Sequence, residues 1–498
     1  MNSPAASIAT PSATPRIITR SEHNVSRAHI SPNALRVLYR LRDGGFQAFL
    51  VGGCVRDLLL GLEPKDFDVA TDALPEQVKR LFRNCRLVGR RFRLAHVFFG
   101  REIIEVATFR AATAPAPGEE PIPEVDLDDD EAPDLDEQEP ESDDPAPDPR
   151  AQFEEDSAER AFDASGRILR DNVYGTIDAD VWRRDFTCNS LYYNIADFSI
   201  WDYVSGAADV AARTLRMIGD PETRFREDPV RMLRAARFEA KLGFSIDPAT
   251  AAPIGELREL LAGVPQARLF DETLKLFLGG HGASSFRVLR ARGLLASILP
   301  SVDAYLSSHP GSLVERLLYQ GLENTDARVQ ADKPVTPTFL FALLLYGPIA
   351  GIIEATPPER WHELATILDA CDQAVREAQS RISIPKRFSL GVREMFALQP
   401  RLEHPRGRRA LRSLEHPRFR AAYDLLLLRA QLGMASRETA DWWTRLQEVS
   451  PEQRGEMADA LAGESARGPR DSTRGPGESG APRRPGRRRR RRPGPRST

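Results

Sequence analysis

The spacing of hydrophobic positions changes once along the 498-residue chain, and the change divides it in two. Before Gly206, short apolar runs alternate with turn residues; from Glu227 to about Leu446, apolar residues recur at helical spacing, broken every 15 to 25 residues by Gly or Pro. In the first part, Ser31-Pro32 supplies a cap and a first-turn proline for a helix through Leu41, which Gly44-Gly45 stops. Residues 46–51 read as a buried strand, Gly52-Gly53 as a turn, residues 54–60 as a short helix closed by Gly61, and residues 65–70 as a second strand. A helix over 75–83 precedes strands at 94–99 and 103–109, with Gly100-Arg101 as their hairpin turn. The fold resumes at Arg170-Asp171-Asn172. Residues 182–193 open charged and continue apolar, and Trp201-Asp202-Tyr203 reads as a strand. The pattern predicts an α+β protein, a mixed α/β head followed by an all-helical C-terminal part.

Charge adds three biased segments to that plan. Residues 119–156 hold 19 acidic residues and one arginine, a net charge of -18. The whole chain carries only -3, so the remainder is basic by +15. Residues 465–498 supply +10 of this, with 12 arginines against two acids. The boundaries expected are a disordered tail over 1–30, a head over 31–215 with a disordered acidic insertion at 111–161, a helical neck over 216–285, a helical body over 286–446 and a disordered Arg-rich tail over 463–498. A basic tail beside no amphipathic or lipidation signal points to RNA or DNA. Cys54, Cys85, Cys188 and Cys371 form no CxxC pair, which fits a reducing cytoplasm and argues against a structural zinc or disulfide framework. No apolar run approaches a membrane span, and the N-terminus lacks a signal-peptide core.

The chemistry centres on Gly52-Gly53 and Asp66-Phe67-Asp68. Residues two apart on a strand share a face, so Asp66 and Asp68 are expected as neighbours that repel unless a cation sits between them. Mg²⁺ takes one or two carboxylates plus phosphate oxygens, which suggests phosphoryl or nucleotidyl transfer. The glycine turn leads into a helix start, an anion site that a phosphate approaches closely, and Arg56 can add a fork of donors. The blander reading makes the glycines a plain turn, leaves Arg56 in solvent and treats DxD as a solvated pair. Neither GxxxxGK[ST] nor GxGxxG occurs, so a P-loop or dinucleotide site does not explain the pattern.

Leu50-Val51-Gly52-Gly53-Cys54-Val55-Arg56-Asp57-Leu58-Leu59-Leu60-Gly61 and Lys65-Asp66-Phe67-Asp68-Val69-Ala70-Thr71 together resemble the first motif of the class II nucleotidyltransferases. That family contains CCA-adding tRNA nucleotidyltransferases and bacterial poly(A) polymerases. Arg183-Arg184-Asp185-Phe186-Thr187 resembles its RRDFT motif, and Glu227-Asp228-Pro229-Val230-Arg231-Met232-Leu233-Arg234 its EDxxRxxR motif, in the family's order. The resemblance implies a polymerase-beta-like nucleotidyltransferase head. It makes Asp66 and Asp68 metal ligands, with Mg²⁺ the expected ion and Mn²⁺ the alternative. It places Arg184 and Asp185 near the nucleotide sugar and the reacting centre, Asp228 and Arg231 at the base edge, and Arg234 near the phosphates. Asp228 and Arg231, at i and i+3, are expected on one helix face, an arrangement that also suits an ordinary salt bridge. A third carboxylate is expected, with Asp185 the first candidate and Glu105 the second.

Leu87-Val88-Gly89-Arg90-Arg91-Phe92-Arg93-Leu94-Ala95-His96-Val97 resembles the segment that marks the poly(A) polymerase branch. Ala267-Arg268-Leu269-Phe270 and the stretch from Leu414-Glu415-His416-Pro417 to Asp424 extend the likeness through the helical part, which implies base and RNA binding by the neck over 216–285 and RNA binding by the body over 286–446. Arg90, Arg91 and Arg93 make a basic strip suited to a phosphate backbone, or else a solvated sheet edge. His96 reads as packed in the sheet. The implied activity is template-independent addition of AMP from ATP to RNA 3′ ends in mRNA processing and decay, by a two-metal in-line attack with pyrophosphate released and no covalent enzyme intermediate. The implied partners are mRNA and small RNAs, together with RNA-degradation machinery. A CCA-adding enzyme and a catalytically inactive RNA-binding homologue are the alternatives. Cys54 and Cys188, in small-residue slots of two motifs, suggest sensitivity to oxidation.

Overall fold

The structure, a computed structural model, describes residues 14–89, 93–111, 160–162, 168–171 and 174–466. Arg90, Arg91 and Phe92 of the basic strip, residues 1–13, the 112–159 part of the acidic insertion and the Arg-rich tail from 467 lie outside the described residues.

Among the described residues, eight strands form one mixed sheet in the head. They are β1 (Arg16–Ile18), β2 (Ala48–Val51), β3 (Asp68–Thr71), β4 (Cys85–Val88), β5 (Leu94–Phe99), β6 (Glu102–Thr108), β9 (Leu191–Asn194) and β10 (Ile200–Asp202); β7 (Arg160–Phe162) and β8 (Ile168–Asp171) pair separately. The spatial order is β1-β10-β9-β2-β3-β6-β5-β4, with β3 and β6 parallel and the other neighbours antiparallel. Alternation along β2 sorts the core. Ala48 and Leu50 pack with Leu38, Val55 and Val69 on the face covered by α1 (Pro32–Asp43) and α2 (Gly53–Leu59). Phe49 and Val51 face the other way, joining Ala70, Phe109, Tyr192 and Val181 of α4 (Ile177–Arg183). α3 (Pro75–Leu81) lies between β3 and β4 in the crossover that a parallel pair requires.

Several boundaries differ from the sequence expectation. Order begins before Ser31, since Arg16–Ile18 pairs with Ile200–Asp202 at the sheet edge. The second strand starts at Asp68 rather than Lys65, because its partner β2 ends at Val51, opposite Asp68. There Gly52, at φ +81°, turns the chain into α2. Asp66 therefore lies in the loop before the strand. β4 was not anticipated. The helical part also runs further: a helix over Pro451–Ala466 follows Arg437–Glu448 and takes in residues assigned by composition to the tail.

The chain leaves the sheet after β6 and returns at a narrow neck. Phe109 accepts a 2.9 Å hydrogen bond from the Gly175 N–H, and Arg110 bridges Tyr174. A Cβ on Gly175 would come within 2.7 Å of Ala111 backbone atoms, so only glycine permits this approach. Further on, the head joins the neck through backbone: Thr187 N–H donates to Arg216, Ile218 N–H donates to Asp185, and Phe186 bridges Met217. After α5 (Gly206–Ala211), the neck helices α6 (Pro221–Glu227) and α7 (Val230–Leu242) begin just beyond this junction. Among the described residues no single helix is long and apolar enough to cross a membrane.

Candidate active site

Strand register places the acidic residues. Reading across the sheet, Tyr192 of β9 pairs with Val51 of β2, Val51 with Asp68 of β3, Asp68 with Glu105 of β6, Glu105 with His96 of β5, and His96 with Arg86 of β4. Directly paired residues share a face, so Asp68, Glu105 and His96 stand side by side. The His96 ring lies 3.6 Å from the Glu105 carboxylate, which fixes its place in the sheet. Asp68 is open to solvent on one side and walled by protein on the others. Burial and the neighbouring Glu105 carboxylate push it up to about 6, against the pull of Arg184, with Asp66 adding to the crowding. Glu105 thus crowds Asp68 more than Asp66 does. Among the described residues no three His, Cys, Asp or Glu side chains close around a metal-sized point. Asp66, Asp68 and Glu105 form an open carboxylate edge, as suits an ion that keeps positions for water and phosphate.

The glycine turn forms the opposite wall. A Cβ at Gly52 would stand 3.9 Å from an Asp68 carboxylate oxygen and 3.8 Å from an Arg184 guanidinium nitrogen. The turn, the carboxylate and the arginine therefore converge. Arg184 is clamped by Tyr192, whose hydroxyl accepts at 2.8 Å from Nε, and by Asp180 at 3.1 Å from Nη2. Tyr192 in turn donates to Asp180 at 2.7 Å. Arg56 is placed differently from the sequence expectation. It is 2% exposed, with its fork directed at Asn189 Oδ1 (2.5 Å) and Asp57 (2.7 Å), and Gly53 packs on it. Arg56 braces the turn from behind instead of facing solvent.

Asp185 lies in a different cluster. Arg234 Nε approaches it to 2.5 Å and Arg231 Nε to 2.9 Å. Burial raises the Asp185 carboxyl, but Arg234 and Arg231 outweigh it and hold the group at about 2. The charges that act on Asp68 are those of Glu105, Arg184 and Asp66. From the neck, Arg224 Nη2 donates to the carbonyls of Arg183 (3.0 Å) and Arg184 (2.9 Å), stapling the motif backbone to α6. Arg56, Arg234 and Arg237 all approach the Phe238 ring, at 5.8, 5.8 and 4.6 Å from its centroid. The junction between head and neck is thereby lined with guanidiniums.

Asp228 and Arg231 do not share a helix. Asp228 caps the C-terminus of α6 with extended backbone (φ -149°, ψ 92°), while Arg231 belongs to α7. Pro229 causes the break, because the residue before a proline is disfavoured in the α region. Arg268 grips Asp228 bidentately, at 2.8 and 2.6 Å, from the helix Gln266–Phe277. Arg231 also holds Glu227 at 3.1 Å. Asp180, Tyr192, Arg224 and Phe238 were not identified as site residues from sequence, and Arg268 was noted only as part of a likeness. Tyr192 alone carried a readable signal, its alternation into the same sheet face as Val51. Cys54 and Cys188 are buried, and burial pushes both thiols up to about 12. The suggested sensitivity to oxidation is thereby corrected, since the reactive thiolate is disfavoured at both.

Comparison with known proteins extends this picture over the whole chain. A family model described as the Poly A polymerase head domain matches residues 48–216. One described as the probable RNA and SrmB-binding site of polymerase A matches 243–306, and one described as the polymerase A arginine-rich C-terminus matches 359–494. Poly(A) polymerase I of Escherichia coli O6:H1 is 44% identical over 478 residues, covering 94% of this chain and 93% of the relative. The Haemophilus influenzae poly(A) polymerase I is 41% identical over 89% of this chain and 90% of its own length. A CCA-adding enzyme of Lactobacillus helveticus is 32% identical over 51% of this chain and 52% of its own. Among solved structures, a CCA-adding enzyme in apo form II aligns at TM-score 0.51 and 18% identity, covering 87% of this chain and 88% of that one. A tRNA-processing enzyme in apo form I aligns at TM-score 0.51 and 20% identity, covering 88% and 98%. These last two likenesses bear on the fold.

Proposed function

The chain belongs to the poly(A) polymerase I family, a family of polynucleotide adenylyltransferases, and from that premise we propose how its site transfers adenylate. Asp66 and Asp68 hold a divalent cation, Mg²⁺ with Mn²⁺ as the alternative, and Glu105 is the third carboxylate. The observation that carries this reading is the Asp68–Glu105 pairing beside the Gly52 turn, where two crowded carboxylates face Arg184. The cation, when bound, offsets triphosphate charge and lowers the pKa of the attacking hydroxyl.

The protein's own groups do the positioning. The 3′-hydroxyl oxygen of RNA bonds to the α-phosphorus of ATP as the bond to the β-phosphate oxygen breaks, and pyrophosphate leaves. Gly52 lets the triphosphate lie against backbone, and Arg184, fixed by Tyr192 and Asp180, faces it across the turn. Arg234, steered by Asp185, contributes a second cation. Asp228 and Arg231 read the adenine edge, each pre-set by a partner, Arg268 and Asp185 respectively. Asp228 keeps acceptor capacity beyond its two bonds from Arg268. In this reading Asp185 works through the arginines it orients. The partners are ATP and the 3′ ends of mRNA and small RNAs in the cytoplasm, with RNA-degradation machinery as a further contact.

The test incubates the protein with short RNA, Mg²⁺ and each nucleoside triphosphate in turn. Long tails with ATP alone are expected; ends that stop after CCA would overturn the proposal. Asp66→Asn and Asp68→Asn are each expected to abolish extension with RNA affinity nearly unchanged. Loss of RNA binding in those variants would contradict the metal role.

A further inference from the structure

On the neck, α7 and the helices Gln266–Phe277 and Gly282–Ala291 enclose a cavity of about 370 Å³. Arg237, Lys241, Lys275, His281 and Ser285 supply its polar lining, and no carboxylate is among the residues that line it. Ser285 is 1% exposed, and its hydroxyl has no hydrogen-bond partner among the described residues. A buried polar group left unpaired is costly, and a ligand in the cavity would complete this one. The cations are under-compensated as well. Glu272, itself buried, is shared by Arg237 Nε at 2.8 Å and Lys275 Nζ at 3.8 Å. Lys241 has no ion-pair partner among the described residues, so the three lining cations have one carboxylate between them. Burial and the Arg56 guanidinium push the Lys241 ammonium down, a direction that an arriving anion reverses. The helix start at Gly282 is not what draws an anion here. Asp326 already accepts from the Gly282 and Ala283 N–H groups, at 2.6 and 3.0 Å.

Its position ties the cavity to the reaction. The charges of Asp57 and Asp66 act on Lys241, and that of Lys65 acts on His281, so the cavity lies within electrostatic reach of the loop that carries Asp66. We propose that this cavity receives the departing pyrophosphate, a product site beside the reacting centre. The inference rests on the adenylate-transfer reading above. Pyrophosphate concentrates several negative charges on two compact tetrahedral groups, whereas each phosphodiester link in RNA carries a single one. The Lys241 ammonium is a compact point charge suited to terminal phosphate oxygens, and the Ser285 hydroxyl donates to one of them. No Phe, Tyr or Trp lines the cavity, so a nucleoside has nothing to stack on, and a free diphosphate is the better fit. Drawing pyrophosphate towards Lys241 clears the edge formed by Asp66 and Asp68 for the next ATP.

The test follows RNA extension by the full-length protein at constant Mg²⁺ and saturating ATP while inorganic pyrophosphate is added. The native protein is compared with Lys241→Gln, Lys241→Arg and Ser285→Ala. A filled cavity holds back the next leaving group, so pyrophosphate should inhibit the native protein even where ATP saturates the reacting centre. That inhibition should weaken about 10-fold in Lys241→Gln and about fivefold in Ser285→Ala, with the KM for RNA unchanged, and Lys241→Arg should keep most of it. Ser285→Ala should melt no lower than the native protein, because its hydroxyl has no partner to lose. Inhibition that excess ATP abolishes in the native protein, or that is equal in all four proteins, overturns the product site. A KM for RNA that rises in step with the inhibition constant also overturns it, and gives the cavity to the RNA backbone instead. A native protein that extends no RNA would sink the polymerase reading. Calorimetric titration with pyrophosphate alone then decides the cavity separately: binding should be lost in Lys241→Gln, and binding that persists there overturns the site.

Discussion

Replacing Asp185 by asparagine keeps the side chain's shape and removes one negative charge from between two guanidiniums. Arg234 and Arg231 approach that carboxylate to 2.5 and 2.9 Å. Burial alone would raise the group; the arginines instead bring it from 3.8 to about 2, which is worth about 2 kcal/mol to the folded state at neutral pH. Because the folded value lies below the unfolded one, this contribution is complete above about pH 5, about half gone at pH 3, and lost as pH falls through 2. Breaking a buried pair by removing one partner generally costs about 3–5 kcal/mol, since Arg231 and Arg234 are left facing each other. Asp185→Asn should therefore destabilise by about 2–5 kcal/mol and lower the melting temperature of the head and neck by roughly 5–15 °C at pH 7. Calorimetry of both proteins between pH 7 and pH 3 reads the gap directly, and it should narrow towards the acid end. Extension should also fall at least 100-fold, because the arginines lose their aim. A melting point within a degree of native at pH 7, or a gap independent of pH, would refute the electrostatic account.

Other positions make separable predictions. Gly52→Ala has room for its methyl group, with neighbours no closer than 3.8 Å, yet needs φ near +81°; it should cost about 1–3 kcal/mol and slow extension while RNA affinity holds. Glu105→Gln should weaken divalent-ion dependence without unfolding the sheet, and an unchanged ion titration would remove it from the carboxylate edge. Arg268→Gln should raise the KM for ATP more than it lowers kcat, because it loosens Asp228 and leaves Asp68 alone. In alkylation followed by mass spectrometry at pH 8, Cys85, only half-buried, should react well before Cys54, Cys188 and Cys371, all held near 12 by burial.

Much of the site was legible as residue types in order, and little of it as pairings. Gly52, Asp68, Asp185 and Arg234 could be named from motifs. Their partners lie far off in sequence: Asp185 is 49 residues before Arg234, and Asp228 is 40 before Arg268. No local periodicity carries such contacts. One error was avoidable. Pro229 directly follows Asp228 and announces a helix boundary, so the i, i+3 face was already in doubt. Arg56 was misplaced for a different reason, since an arginine after a glycine turn looks the same in sequence whether it faces a ligand or braces the turn. Strands as short as Arg16–Ile18 and Cys85–Val88 are defined by neighbours at the sheet edges more than by their own composition.

The narrow neck at Gly175 has a consequence for how this chain can lengthen. With Phe109 bonded to Gly175 and Arg110 bridged to Tyr174, the two sides are already held together, whatever lies between. Closing a loop costs only about 0.6 kcal/mol more for each doubling of its length. Shortening the 62 residues of 112–173 to about eight would therefore change the closure cost by about 2 kcal/mol. The hinge, and not the length of what hangs from it, carries the constraint. The same point offers a port where a reporter domain could be inserted into the enzyme, provided Gly175 is left untouched.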